Sequence, residues 1–201
     1  MSDNFFAYIS RMRYITRWSL MRNSVPENIQ EHSHMVAVLA HALGIIRRDV
    51  FGLDCDPEEA AAAALYHDAS EILTGDLPTP IKYHSAEIRS AYRQVEEIAC
   101  EKLVSMLPDE LKNVYRNYLT GEGAFRSHDL VKAADKLSAY IKCIEERKAG
   151  NDEFLSAEIQ IRKILDAMKM PEVNYFLEHF IPAFELTLDE LGTIEEDTPQ
   201  T

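Results

Sequence analysis

The chain has 201 residues, of which 46% are hydrophobic and 27% charged, enough for one globular domain with a sizeable core. Its 21 basic and 34 acidic residues give a formal net charge of -13, which argues against binding a nucleic acid polymer or an anionic membrane surface. The three cysteines are widely separated, and no signal-peptide core or membrane-spanning apolar run occurs, so we expect a cytoplasmic protein in a reducing compartment.

Apolar residues recur at intervals of three and four along the chain, which predicts an all-α fold. In chain order, the predicted helices span about residues 3–15, 28–47, 56–73, 84–107, 127–148, 152–169 and 172–191. The second helix is expected to start at Asn28, with Glu31 completing a capping box. The third is expected to start at Asp56, because Pro57 suits the first helical position. Pro182 is expected to kink the last helix.

The segments between the predicted helices are short, and none has the composition of a linker between domains. GDLPTP (75–80) predicts a stiff loop, while the stretch that leads to Gly121 and Gly123 is predicted to be less regular. We therefore expect residues 1–192 to form a single domain, followed by a polar, disordered tail at 193–201.

Four side chains in three predicted helices have the chemistry of metal ligands. His67 and Asp68 are adjacent in the third helix, His32 lies on the apolar stripe of the second, and Asp135 borders the apolar face of the 127–148 helix. Mixed nitrogen and oxygen ligands suit Mn²⁺, Co²⁺, Ni²⁺ or Zn²⁺ better than Ca²⁺. Because each polar group would be costly to bury alone, a shared divalent ion accounts for all four.

Each of these residues also has a simpler explanation. His32 by itself could be a hydrogen-bonded core histidine, and Asp135 could be the ion-pair partner of Lys136 or Lys142. His34 lies on a different face of the same helix and is the main competitor for the ligand role of His32. The combination of two imidazoles and two carboxylates in one helical chain favours the metal site.

Glu71 is the candidate for a catalytic carboxylate. It follows His67 by four residues and Asp68 by three, so we expect all three within an arc of about 100°. If Glu71 faces the metal without binding it, it can hold or deprotonate an attacking water and later protonate the leaving oxygen. The alternative is a solvated carboxylate on the helix surface.

Several segments together resemble a known family. They are RWSLMRN (17–23), ENIQEHS (27–33), LYHDASEILTGDLPTPIKY (65–83), VKAADKLSAYIKCIEE (131–146) and FIPAFELTLDEL (180–191). Their pattern resembles the HD-domain superfamily of metal-dependent phosphohydrolases and, within it, the bacterial 5′-deoxynucleotidases of the YfbR family. The resemblance implies a homodimeric, single-domain helical enzyme with one divalent metal ion per subunit. It also implies removal of the 5′-phosphate from deoxyribonucleoside 5′-monophosphates.

The resemblance also implies roles for residues at the matching motif positions. The implied metal ligands are His32, His67, Asp68 and Asp135. The implied catalytic residues are Glu71, Arg17 and Asp68. The implied substrate contacts are Arg17, Trp18, His32, Asp76, Leu77, Pro78, Thr79 and Asp135.

The chemistry of these side chains fits a deoxynucleotide. Arg17 offers a rigid guanidinium fork to phosphate oxygens, and the indole of Trp18 could exclude a 2′-hydroxyl sterically. Asp76 can accept a hydrogen bond from the 3′-hydroxyl, while the two prolines would hold its loop rigid. No pattern suggests a pocket that reads the base, so we expect little base preference and discrimination against ribonucleotides.

The sequence leaves two other functions open. One is a different HD phosphohydrolase that acts on deoxynucleoside triphosphates, cyclic dinucleotides or alarmones. Such substrates carry more charge and would favour further cations beside Arg17, for which Arg22 and Lys82 are the candidates. The other is a non-catalytic, metal-bound nucleotide sensor, although a sensor needs no water-activating carboxylate such as Glu71.

Overall fold

The computed structural model describes residues 3–82, 84–120 and 128–192. The α-helices of these ranges are α1 (Phe5–Ile9), α2 (Ile29–Ile45), α3 (Pro57–Ala64), α4 (Glu71–Thr74), α5 (Thr79–Lys82), α6 (Ala86–Val104), α7 (Asp109–Thr120), α8 (His128–Lys148), α9 (Leu155–Met168), α10 (Pro171–His179) and α11 (Leu188–Leu191). The described ranges contain no strand, only an antiparallel bridge between Thr16 and Asn28. The predicted all-α, single-domain fold is confirmed, whereas the tail at 193–201 lies outside the described residues.

Both predicted N-terminal helix caps are present. Asn28 Oδ1 accepts hydrogen bonds from the backbone N–H groups of Gln30 and Glu31, and the Asn28 N–H donates to the Glu31 carboxylate. Asp56 accepts from the Glu59 N–H at 2.8 Å, and Pro57 occupies the first turn of α3. These caps satisfy N–H groups that a helix start leaves unpaired, and they place His32 in the first turn of α2.

The main core forms where α2, α3 and α8 pack against one another. Its fully buried side chains include Val36, Leu43, Ala60, Leu130 and Leu137. Gly44 allows α2 and α3 to approach closely, because a Cβ there would lie 2.8 Å from Pro57 Cα. A smaller cluster joins α1, α6 and α7 around Phe5, Leu103 and Leu119. The main core thus fixes α2 and α8, the helices that carry His32 and Asp135.

The prediction of an irregular stretch before Gly121 was wrong. Residues Asp109–Thr120 form α7, an amphipathic helix whose apolar side chains recur at helical spacing from Leu111 to Leu119. Its buried side packs Tyr115 and Leu119 against the cluster that contains Phe5. Gly121 and Gly123 themselves lie outside the described residues.

The predicted helix at 56–73 is interrupted in the middle. α3 ends at Ala64, and residues 65–70 form tight turns before α4 begins at Glu71. In these turns the N–H groups of Tyr66, His67 and Ala69 bond to carbonyls three residues back rather than four. His67 and Asp68 therefore project from turns and not from a regular α-helix.

Two further segments differ from their predicted form. The 75–80 segment is a loop only as far as Pro78, since α5 begins at Thr79, and Gly75 ends α4 with a φ of 74°. The last predicted helix is broken rather than kinked at Pro182, which lies in a 3₁₀ turn, Ile181–Glu185, after α10. A proline interrupts the helix there because it lacks the N–H that the next turn requires.

In the described ranges, no helix combines the length and the apolar character that crossing a bilayer requires.

Candidate metal centre

The four predicted metal ligands lie together where three elements meet. His32 comes from the first turn of α2, His67 and Asp68 from the turns after α3, and Asp135 from α8. His32 Nε2 lies 3.2 Å from Asp135 Oδ1 and 3.6 Å from Asp68 Oδ2, while His67 Nε2 lies 3.2 Å from Asp68 Oδ2. Ligand atoms of His32, His67 and Asp135 all lie within 4.8 Å of one another.

The imidazole nitrogens of this cluster fit a divalent cation. His67 Nδ1 lies 2.7 Å from the Ala64 carbonyl, so it carries the proton and leaves a lone pair on Nε2. His32 Nδ1 lies 3.2 Å from Ser138 Oγ, which can accept a hydrogen bond from the Nδ1–H group. Nε2 of both rings is buried and makes no hydrogen bond to any described residue. Such an arrangement is typical of histidines whose Nε2 ligates a metal.

The electrostatics of the cluster favour the protonation states that a metal needs at His32 and at the two carboxylates. Burial and then the Arg17 charge lower the pKa of His32, which keeps that imidazole neutral. Burial opposes ionisation of Asp68 and Asp135, yet the neighbouring histidines hold the pKa of each carboxyl well below its usual range. Burial also opposes the charged form of His67, but Asp68 raises its pKa overall. The two carboxylates are therefore ionised at neutral pH, as metal ligands must be.

Glu71 is buried at the start of α4, with only 7% of its surface exposed. It is therefore not a solvated surface carboxylate. Its Oε2 has no hydrogen-bond partner among the described residues. Burial, followed by the charges of Asp68 and Asp76, raises the pKa of Glu71 to about 9. The carboxyl is thus placed to exchange protons beside the cluster.

The surroundings of His32 and Asp135 bear on the simpler explanations for these two residues. His34 is exposed whereas His32 is fully buried, which favours His32 as the ligand. Asp135 Oδ2 pairs with Lys136 at 2.9 Å, but its Oδ1 faces His32. Lys142 pairs instead with Glu146. The ion pair with Lys136 therefore uses one oxygen of Asp135 and leaves the other for a metal.

Arg17 and Trp18 lie beside the cluster in the segment that precedes α2. Arg17 Nη2 is 3.9 Å from Asp135 Oδ1, and its Nη1 donates to Glu27 Oε2 at 2.8 Å. Trp18 Nε1 donates to the same Glu27 oxygen at 3.1 Å, and its indole packs against Phe154 with ring centroids 5.3 Å apart. The guanidinium therefore stands next to the proposed metal ligands, where a phosphate would need it.

A cleft of about 190 Å³ opens next to these side chains. Its lining residues are Arg17, Trp18, Ser19, Leu20, Met21, Asp76 and Pro78. Leu77 belongs to the same loop but does not line the cleft, and the side chain of Thr79 lies outside the described part of the structure. Burial raises the pKa of Asp76, although the charge of Arg17 and a hydrogen bond from the backbone N–H of Trp18 favour the ionised carboxylate.

Sequence reasoning missed two residues of this site. Glu27 joins Arg17 to Trp18, and its only sequence signal was its position at the start of ENIQEHS. Ser138 faces His32 Nδ1 from α8, three residues after Asp135, and it offered no signal of its own.

Solved structures share this fold. An HD-domain phosphohydrolase from Listeria innocua superposes with a TM-score of 0.79 at 25% sequence identity, covering 90% of this chain and 88% of the other. The HD phosphohydrolase of cyanophage S-2L, solved with dA and one catalytic Zn²⁺, gives a TM-score of 0.58 at 22% identity, covering 86% and 93%. The HD-domain fold predicted from the sequence is confirmed.

Relatives with curated functions extend the comparison over nearly the whole chain. The 5′-deoxynucleotidases YfbR of Shigella boydii serotype 18 and of Escherichia coli K12 are each 48% identical to it over 199 residues, covering 98% of both chains. The sequence profile of the family described as 5′-deoxynucleotidase YfbR-like matches residues 4–184. The predicted hydrolase activity is thereby confirmed. The chain belongs to the YfbR-like family of 5′-deoxynucleotidases.

Proposed function

We propose that His32, His67, Asp68 and Asp135 form the metal centre at which this 5′-deoxynucleotidase hydrolyses deoxyribonucleoside 5′-monophosphates to deoxyribonucleoside and phosphate. The observation that carries the proposal is the pair of buried, unpartnered Nε2 atoms that face two ionised carboxylates. Without a cation, burying this set would be costly. The donor set suits one ion of the Co²⁺, Mn²⁺, Ni²⁺ or Zn²⁺ class per subunit.

The residues around the metal centre have distinct proposed roles. A divalent ion held there supplies a Lewis acid that activates water and offsets phosphate charge. Arg17 binds and orients the phosphate oxygens, and Asp68 helps to align the attacking water. Glu71 takes a proton from that water and returns it to the 5′-oxygen of the leaving nucleoside. A bound cation would lower the pKa of Glu71 from about 9 and so favour the base form.

The cleft between Trp18 and the loop after α4 is the proposed sugar site. Trp18 packs against the deoxyribose where a 2′-hydroxyl would clash, and Asp76 accepts a hydrogen bond from the 3′-hydroxyl. Leu77, Pro78 and Thr79 complete the loop that faces the sugar. Four of the seven residues that line the cleft are apolar, namely Trp18, Leu20, Met21 and Pro78, and this supports broad acceptance of bases.

The proposed functional unit is a homodimer in the cytoplasm, as the family resemblance implies. Size-exclusion chromatography with light scattering is then expected to give twice the 23.0 kDa mass of one chain. A particle of 23.0 kDa would contradict the homodimer.

A substrate panel tests the proposal after chelation and re-metallation. dAMP and the other deoxynucleoside monophosphates are expected to release phosphate only with metal restored, and AMP much more slowly. Phosphate released from AMP as fast as from dAMP would reject deoxyribose selectivity. Faster turnover of dATP or of a cyclic dinucleotide would favour another HD phosphohydrolase activity. Binding of dAMP without turnover would favour a sensor.

A further inference from the structure

We propose that Glu27 is a positioning residue that holds Arg17 and Trp18 together as one unit for recognising phosphate and deoxyribose. This inference rests on the substrate contacts proposed above for Arg17 and Trp18. Glu27 itself need not touch substrate, because it acts through the two side chains that it orients.

A single carboxylate oxygen makes both contacts. Glu27 Oε2 accepts a hydrogen bond from Arg17 Nη1 at 2.8 Å and another from Trp18 Nε1 at 3.1 Å. The side chain of Glu27 is only 16% exposed and that of Arg17 13%, so water competes little with these bonds. Hydrogen bonds to a charged acceptor are among the stronger ones in proteins. The shared oxygen therefore fixes the guanidinium relative to the indole.

The backbone at Trp18 makes this support necessary. Trp18 adopts a left-handed conformation with a φ of 56°, which costs a bulky L-residue free energy and persists only where contacts hold it. The Arg17 N–H donates to the Glu27 carbonyl at 2.9 Å, next to the bridge between Thr16 and Asn28. Phe154 packs against the indole of Trp18, while Glu27 accepts the hydrogen bond from the indole N–H.

The charges around Arg17 give Glu27 a second effect. Arg17 Nη2 already lies 3.9 Å from Asp135 Oδ1, whose carboxylate is a proposed metal ligand. Without Glu27, the guanidinium would be free to close this gap and pair with Asp135. Such a pair would compete both with the metal for the carboxylate and with the phosphate for the guanidinium. Glu27 prevents this because it holds Nη1, the other terminal nitrogen of the Arg17 guanidinium.

The test compares Glu27→Ala and Glu27→Gln with the wild type and with Glu31→Gln as a matched control. Glu31 lies four residues away, is exposed, and touches neither Arg17 nor Trp18, and glutamine retains the capping box of α2. Trp18 is the only tryptophan in the chain, so acrylamide quenching of its fluorescence reports on its position without metal or substrate. The second readout is kcat/KM for dAMP and for AMP on the re-metallated enzyme.

For Glu27→Ala we expect faster quenching of Trp18, about a 100-fold lower kcat/KM for dAMP, and about a tenfold lower preference for dAMP over AMP. Glu27→Gln should keep the quenching of the wild type, because its amide oxygen can still accept both bonds, and should lose less activity. Glu31→Gln should match the wild type within about twofold in every readout.

Quenching and a dAMP preference that are unchanged in folded Glu27→Ala would overturn the positioning role. An effect of equal size in Glu31→Gln would also overturn it, because the loss would then be general to the segment. If the wild type fails to hydrolyse dAMP, the proposed function fails. The quenching comparison in the metal-free protein still decides whether Glu27 holds Trp18.

Discussion

At the scale of single residues, the two histidines of the proposed metal centre are held by different partners. A backbone carbonyl of Ala64 fixes His67, whereas a side-chain hydroxyl of Ser138 fixes His32. A carbonyl cannot be removed by substitution, but a hydroxyl can. The contribution of ring orientation to metal affinity can therefore be measured at His32 alone.

Ser138→Ala is expected to weaken metal binding by about 10–100-fold, because groups that orient a ligating histidine typically contribute this much. The measurement is a competitive titration of the metal against a chelating dye. Ser33→Ala is the matched control, since Ser33 is equally buried and its hydroxyl has no hydrogen-bond partner within the described ranges. Equal affinity in the wild type and Ser138→Ala would show that Ser138 does not orient His32.

Glu71→Gln is expected to lower kcat for dAMP by about 10²–10⁴-fold, the usual contribution of a general acid–base group. The amide keeps the shape of the buried carboxyl but can neither take nor return a proton. Metal content measured by plasma emission should stay at one ion per chain, since Glu71 is not a proposed ligand. Full activity in Glu71→Gln would end its catalytic role, and loss of metal would reassign Glu71 as a ligand.

Residue type and chain position were enough to predict that His32, His67, Asp68 and Asp135 lie close together, because buried histidines and carboxylates need a common partner. Their role as metal ligands stays a prediction. The same reasoning could not find Glu27. Its partners Arg17 and Trp18 lie across an irregular segment, and no periodicity predicts which side chains meet there.

At the scale of elements, α8 carries an ion pair that fastens the segment before α2. Glu146 is 1% exposed, pairs with Lys142, and accepts hydrogen bonds from the N–H groups of Ser24 and Val25. The Lys142 ammonium also donates to the Val25 carbonyl at 2.5 Å. The segment that presents Arg17 and Trp18 is thus tied to α8, the helix that carries Asp135.

Glu146→Gln is expected to lower the free energy of unfolding at pH 7 by about 3 kcal/mol, because it leaves the Lys142 charge buried without a counterion. Chemical denaturation measures the loss. Glu145→Gln is the control; Glu145 is the exposed neighbour on α8, and its change should stay within about 0.5 kcal/mol. If Glu146→Gln also lost no more than about 0.5 kcal/mol, the ion pair between Glu146 and Lys142 would add nothing to stability.

The same pair predicts a pH dependence. Burial opposes ionisation of Glu146, but Lys142 and the backbone N–H groups lower its pKa to about 2, below the ordinary value of 4.5. A depressed folded-state pKa means that its contribution is complete above pH 4.5 and is lost as pH falls from 4.5 towards 2. The stability difference between the wild type and Glu146→Gln should therefore shrink over this interval. A constant difference would contradict the shifted pKa.

Helix periodicity predicted most elements but not their interruptions. The apolar run through Ala64 and Ala69 fits a continuous helix, yet the chain makes tight turns there that carry His67 and Asp68. Helix propensity alone contains no signal for such a break, because tertiary packing determines it. α7 was missed although its apolar residues recur at helical spacing, because Asn113, Asn117 and the tyrosines between Asn113 and Leu119 have only modest helix propensity.

At the scale of the whole molecule, the proposed metal centre lies where α2, the turns after α3, and α8 meet. The helices α2, α3 and α8 also form the main core, so the proposed ligands come from parts of the chain that pack together only in the folded state. An unfolded chain separates His32 from Asp135 and cannot offer the same set of donors. Metal binding should therefore stabilise the fold.

Restoring the metal to chelated protein is expected to raise Tm, with about 2.7 kcal/mol of added stability when free metal is at 100 times its Kd. Scanning calorimetry measures the shift at several metal concentrations. Asp135→Asn is the test variant, because it removes one ionised ligand and should lose most of the dependence on metal. Asp129→Asn is the matched control, since Asp129 lies on the same helix but pairs with Arg47 outside the metal centre. A Tm that does not depend on metal in the wild type, or an equal metal-dependent rise in Asp135→Asn, would show that this cluster does not bind the ion.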